Sequence, residues 1–161
     1  MNILKVKTEK RRIGDIGERA AVKFLRKSKY KILEKNYIPK PSITGERVNV
    51  EIDIIAATKD SYVFVEVKTR TISSIPYPEL RPASAVTPEK QNKIFRAAQS
   101  SKAQRRDDKK MRFDIIEVYL TDDRRVSEIK HLVSAFDKGT AYIEPWKRNK
   151  RPKAQGAEDH H

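Results

Sequence analysis

The chain has 161 residues, of which 37% are hydrophobic and 36% charged, and it carries a formal net charge of +14. That length suits a single domain that buries about 70% of the surface its unfolded chain exposes, and apolar residues in periodic blocks exclude a disordered composition. Without cysteine there is no disulfide, cysteine zinc site or thiol chemistry, and the basic balance points to a polyanionic partner, nucleic acid before an acidic membrane.

Residues 1–11 are basic (Lys5, Lys7, Lys10, Arg11) and aperiodic, so they read as an N-terminal arm, with no apolar stretch for a signal peptide. A helix is predicted over residues 12–29. Ile13, Ile16, Ala20, Ala21, Phe24 and Leu25 form its apolar stripe. Gly14 and Gly17 weaken a helix, and make sense where it lies against another backbone. Residues 30–38 read as a strand, and Pro39, Pro41 and Gly45 mark a loop. A hairpin is predicted from residues 47–57, a turn at 58–61 and a strand over 62–70. Pro76, Pro78 and Pro82 place a long loop over residues 71–86. Thr87 as N-cap, Pro88 at the first position and Glu89 in the first turn open a second helix, predicted to reach about Asp107. Strands over 112–121 and 126–135 follow, separated by a turn. The domain is expected to span 12–143, with residues 144–161 as a basic flexible tail. No apolar run approaches the ~20 residues of a transmembrane helix, and the chain is expected to be soluble and cytoplasmic.

The order is α-β-β-β-α-β with one further strand. The first three strands form an antiparallel meander, and the second helix is a crossover that lets the next strand enter parallel. The fold class is α/β, a mixed β-sheet flanked by helices.

The hairpin carries the chemistry. Alternation puts Glu51, Asp53 and Ile55 on one face of its first strand, and Phe64, Glu66 and Lys68 on one face of its second. Val50, Ile52, Ile54, Val63, Val65 and Val67 form the other, apolar face. Two carboxylates and an ammonium in an apolar hairpin are costly to desolvate, and a divalent cation with a phosphate substrate would offset that cost. Asp53 and Glu66 would ligate Mg²⁺ or Mn²⁺, which take carboxylates, waters and phosphate oxygens. Such an ion acidifies water and polarises a phosphoryl oxygen. Lys68 would then orient or deprotonate the water, or stabilise the developing charge. The reaction class is phosphodiester hydrolysis. Spacing alone also fits a half-exposed hairpin with a cross-strand ion pair. Isoleucines flanking Asp53 and valines flanking Glu66 favour the buried site.

Several ordered blocks resemble a known family. They are Gly17-Glu18-Arg19-Ala20-Ala21, Asn36-Tyr37, Glu51-Ile52-Asp53-Ile54-Ile55-Ala56, Val63-Phe64-Val65-Glu66-Val67-Lys68-Thr69-Arg70, Ala85-Val86-Thr87-Pro88-Glu89-Lys90-Gln91 and Arg112-Phe113-Asp114-Ile115. Over about residues 12–136 the chain resembles the YraN-like family of predicted endonucleases, within the PD-(D/E)xK, restriction-endonuclease-like superfamily. The resemblance implies a metal-dependent endonuclease acting on DNA, branched (as for resolvases) or damaged. It makes Asp53, Glu66 and Lys68 catalytic with Glu18 and Gln91 assisting, and adds the Val67 carbonyl as a metal ligand. Resolvase-like relatives work as two-fold dimers, so a homodimer is the corresponding expectation. Glu18 lies at the border of the first helix's apolar stripe, within reach of the sheet edge, and equally suits a surface ion pair. Gln91 lies in line with Ile94, Phe95 and Ala98, and equally suits a satisfied polar group at a helix start. Arg70, Lys90, Arg105 and Arg106 are the expected phosphate contacts, the last two in a basic cluster at the end of the second helix. The chain departs from the family at Val50, where glycine is usual, in a longer loop over 39–49, and at Ser73-Ser74-Ile75-Pro76-Tyr77, which replaces a Phe-Gly pair. The alternative reading is a non-catalytic nucleic-acid-binding module that keeps the fold. Glu51 reads as a surface acid, and Tyr62, Phe64, Asp114, His131 and Trp146 as packing or surface residues.

Overall fold

A computed structural model describes residues 7–74 and 86–137. Most of the expected arm, part of the 71–86 loop, Trp146 and the basic tail lie outside the described residues.

The first helix, α1, spans Glu9–Lys27 and starts three residues earlier than expected. The reason is a cap: the Thr8 hydroxyl accepts from the Arg11 backbone N–H, and Glu9 sits at the positive helix end. Lys10 and Arg11, assigned above to the arm, are therefore helical. Ala21, Val22 and Leu25 are buried against the sheet, with Ile13, Ile16, Ala20 and Phe24 half-buried beside them. Gly17 meets the expectation of close approach, since a Cβ there would stand 1.8 Å from Thr69 Oγ1. Gly14 does not, having open space at the same test.

The strands are β1 Lys31–Tyr37, β2 Ile52–Ala57, β3 Ser61–Thr71, β4 Lys110–Leu120 and β5 Val126–Phe136. They form one sheet in chain order, with β3 and β4 parallel and every other pair antiparallel. Thr58 N–H donates to the Ser61 carbonyl across the β2–β3 turn. β2 is shorter than the alternation over 47–57 suggested. Its pairing with β1 ends at Tyr37↔Ile52, and the next residues of β1's chain lead to Pro39, so 47–51 have no partner there.

The crossover between β3 and β4 contains α2, Pro88–Ala103. Its start is the one read from sequence: Lys90 N–H donates to Thr87 Oγ1, and Pro88 opens the first turn. It ends four residues before the expected Asp107. The Asp107 carboxylate instead takes the Tyr62 hydroxyl and the Lys109 N–H, which steers the chain into β4.

Each helix covers one face of the sheet. Ile94, Ala97 and Ala98 of α2 pack with Ile55, Phe64, Phe113 and Ile115. Ala21 and Leu25 of α1 pack with Ile54, Val63, Val65, Ile116 and Val118. The expected single apolar face is thus corrected: both faces of β2, β3 and β4 are core, because each has a helix over it. Among the described residues no helix is long and apolar enough to cross a membrane.

Candidate active site

The antiparallel register of β2 and β3 runs Ile55↔Phe64 and Ile54↔Val65. The pairing ends there, and Ile52 packs with Ile55 and Phe64 rather than with Ile54, so the alternation expected through this stretch of β2 breaks at Asp53. There the ladder gives way to a side-chain contact, with Val67 N–H donating to Asp53 Oδ2 at 2.7 Å. That bond orients the aspartate and makes Val67 part of the site.

Glu66 is 6% exposed and holds two cations. Lys68 Nζ lies 3.1 Å and Lys90 Nζ 2.5 Å from the same oxygen, Oε1. Lys90 reaches it from the first turn of α2, so the expected phosphate contact is in this structure a partner of the acid. Among the described residues Asp53 makes no ion pair. Burial first, then the charge of Glu66, push its carboxyl up to about 7; Glu18 adds to this, while the Val67 bond and Lys90 oppose it.

A cleft of about 630 Å³ opens on these groups, lined by Glu18, Asp53, Glu66, Val67, Lys68 and Arg70, with Lys10, Ile13 and Gly14 of α1 on its rim. The close packing at Gly17 carries Glu18 to the cleft. Glu18 Oε2 and Glu51 Oε1 both accept from Asn36 Nδ2, at 3.2 and 2.7 Å. Glu51 is exposed and lines, with Asp53 and Lys90, an adjoining cleft of about 410 Å³. It thus belongs to the surroundings of the site rather than to an unrelated surface.

Three expected residues are placed elsewhere. Gln91 is buried, and its Nε2 donates to the Val86 carbonyl at 2.9 Å, fastening the entry to α2 instead of lining the cleft. Arg105 and Arg106 follow the last turn of α2, whereas Lys90 sits in its first. From Lys90 to the helix's last residue, Ala103, is about 20 Å along the axis, and the two arginines lie beyond that end. Arg105 lies over the Tyr62 ring, 5.3 Å from its centroid, at the start of β3. Nearby, at the start of β4, Arg112 is committed to Asp114 and Tyr30.

Two residues of the site region were given no role from sequence, although Asn36 stands in one of the blocks quoted above. Asn36 bridges Glu18 and Glu51 from a left-handed backbone, φ 52°. Its signal was an asparagine inside a strand, where that residue is disfavoured. Glu117 stands in register beside Lys68 on β4 and is 2% exposed. Tyr119 Oη donates to its Oε2 at 2.6 Å, while Oε1 has no hydrogen-bond partner. Its signal was the one that marked Glu66, a lone acid in an apolar strand.

The donor set suits a hard cation. It is all oxygen, and Asp53 sits where burial and negative neighbours disfavour its charge unless a cation offsets them. Among the described residues no group of three His, Asp or Glu side chains is placed to hold a metal ion. An ion here would therefore have Asp53 and Glu66 as carboxylate ligands, with water and substrate oxygens for the rest.

The chain resembles proteins of several bacteria. It is 42% identical over 134 residues to a UPF0102 protein of Acetivibrio thermocellus, covering 81% of this chain and 95% of the relative. A UPF0102 protein of Geotalea daltonii is 41% identical over 132 residues, covering 81% and 94%. UPF0102 protein TTE1452 of Caldanaerobacter subterraneus is also 41% identical over 132 residues, covering 81% and 98%. The family profile matches residues 17–118, from the α1 glycine through Asp53, Glu66 and Lys68 into β4. The chain belongs to the uncharacterised protein family UPF0102, the YraN-like family.

Proposed function

We propose that this protein is a Mg²⁺- or Mn²⁺-dependent endonuclease of the PD-(D/E)xK, restriction-endonuclease-like superfamily, hydrolysing phosphodiester bonds in DNA. Branched and damaged duplexes are the first substrates to try. The observation that carries the reading is the nearness of Asp53 to Glu66 and Lys68, with the Asp53 carboxyl pushed up to about 7 by burial and by the charge of Glu66. Asp53 and Glu66 would hold the cation, whose chemistry is to acidify water and polarise the scissile phosphate. Val67 N–H keeps Asp53 turned to its position. Lys68 is a short reach from Glu66 and open to the cleft, placed to orient the attacking water and to stabilise charge developing on phosphorus oxygens. Glu18 and Arg70 line the same cleft, the first to hold water and the second to hold phosphate.

One observation favours a second reading, a nucleic-acid-binding module without turnover. Lys68 and Lys90 already pair with Glu66, and among the described residues no third acid completes a cage. The test is cleavage of duplex, single-stranded and four-way-junction DNA with Mg²⁺ or Mn²⁺. Asp53→Ala and Lys68→Ala should each cost at least about 100-fold in rate. Wild-type rates in both variants would refute the assignment. Salt-sensitive DNA binding without cleavage, and a melting temperature indifferent to Mn²⁺, would favour the module.

A further inference from the structure

The expected DNA contacts at the end of α2 lie far from the acids, so the site needs another approach for a polyanion. α1 supplies one. Arg12, Arg19 and Arg26 recur every seven residues, so they stand nearly in line on one side of the helix, about 10.5 Å apart. All three are exposed, and none makes an ion pair among the described residues. They form one wall of a groove of about 610 Å³, and Lys35 of β1 lines it with them. Of the other charges in that groove, Lys7 pairs with Asp15 at 2.8 Å and Arg124 with Glu9, which leaves Glu18. The groove shares Glu18 with the acid cleft, and Asn36, which holds Glu18, lines it too.

We propose that the groove between α1 and β1 is the track in which the phosphodiester backbone of one nucleic-acid strand lies on its way to the acid cleft. The inference rests on the nuclease reading for its destination, though the binding it describes requires no turnover. The three arginines span about 21 Å, about six nucleotides at the ~3.4 Å rise of a strand in duplex form. Each guanidinium can hold a phosphate with two N–H donors. Glu18 lies at the junction and repels the backbone, so the strand is held to the arginine wall until it reaches the lysines of the cleft. Contacts of this kind position the backbone without reading sequence.

The test is fluorescence anisotropy of a labelled 20-nucleotide DNA, single-stranded and duplex, with the full chain in EDTA. The variants are Arg12→Gln/Arg19→Gln/Arg26→Gln, Lys35→Glu from the opposite wall, and Arg106→Gln/Lys110→Gln as the control at the far end. Glutamine keeps the helix propensity of arginine, and the sites are exposed, so melting temperatures should match the wild type. The triple variant should bind at least about 10-fold more weakly, with the slope of log affinity against log salt reduced by about 2 to 3. Lys35→Glu should weaken binding in the same direction, and the control by less than about twofold. Competition by unlabelled DNA and RNA of equal length separates the two sources of the backbone. Wild-type affinity in the triple variant, or an equal loss in the control, would overturn the track. Tight binding through the groove with no cleavage under any metal would sink the nuclease reading alone. Cleavage by a triple variant that binds normally would sink the track alone.

Discussion

Two aspartates in this protein are removed from water and meet opposite fates. Asp114 of β4 is fully buried under the end of α1, yet its carboxyl is held below the usual range. Burial by itself would raise it. Donors from His131 at 2.7 Å, from Arg112 at 2.9 and 2.7 Å and from Ser134 N–H at 3.0 Å more than offset that. Asp53 has one backbone donor, and two acids, Glu66 and Glu18, raise its carboxyl further. The first group is complete, and its His131 and Arg112 are packed against Phe24 and Tyr30. The second is incomplete and faces a cleft. The difference teaches where to look for chemistry: a buried charge with all its partners maintains a fold, and one left short of a cation is placed to receive one.

The largest effect should come from breaking the complete group. Asp114→Asn leaves the half-buried Arg112 without its carboxylate and should cost about 3 kcal/mol, read by urea denaturation. The same change at Asp53 should act in the opposite sense. Asp53→Asn should raise stability by at least about 1 kcal/mol at neutral pH, or about 3 °C in melting temperature, while abolishing metal-dependent cleavage. The pH dependence sharpens the contrast. Asp53 titrates at about 7 when folded and near 3.8 when unfolded, so the unfolded chain binds fewer protons between these values. Its contribution to stability therefore falls as pH rises from about 4 to about 7, a slope that Asp53→Asn should remove. Asp114 has its folded pKa below 3.8, so its contribution is present above that value and is lost as pH falls through the folded pKa. Denaturation midpoints of both variants across pH 3–8 check the two signs. The smallest change is Thr8→Ala, which removes the cap of α1 at the cleft end. It should cost about 1 kcal/mol and fray the turn bearing Lys10, without disturbing the Asp114 group. Amide exchange in the first turn measures it.

Much of the site was legible because strand alternation is a local rule. Period alone suggested one face for Asp53, Glu66 and Lys68; the structure brings Asp53 to β3 past the end of the ladder, through the Val67 N–H. The start of α2 was equally legible, because Thr87 and Pro88 act locally. Gln91 shows the limit. Its place on the core side of α2 was visible, but the Val86 carbonyl that takes its amide depends on how the chain enters the helix. Arg105 and Arg106 show it again, since no local pattern says which end of a crossover helix will lie over the acids.

By itself, the amino-acid order determined the elements, the mixed sheet and the acid pair with its lysine, since capping, periodicity and alternation act over a few residues. Only the tertiary structure decided which charges are matched. Lys90 joins Lys68 on Glu66 because α2 crosses over β3, and Glu18 reaches the cleft because Gly17 lets α1 settle on Thr69. Those pairings join residues far apart in the chain, and the energy of a buried charge depends on every group that the fold brings within reach.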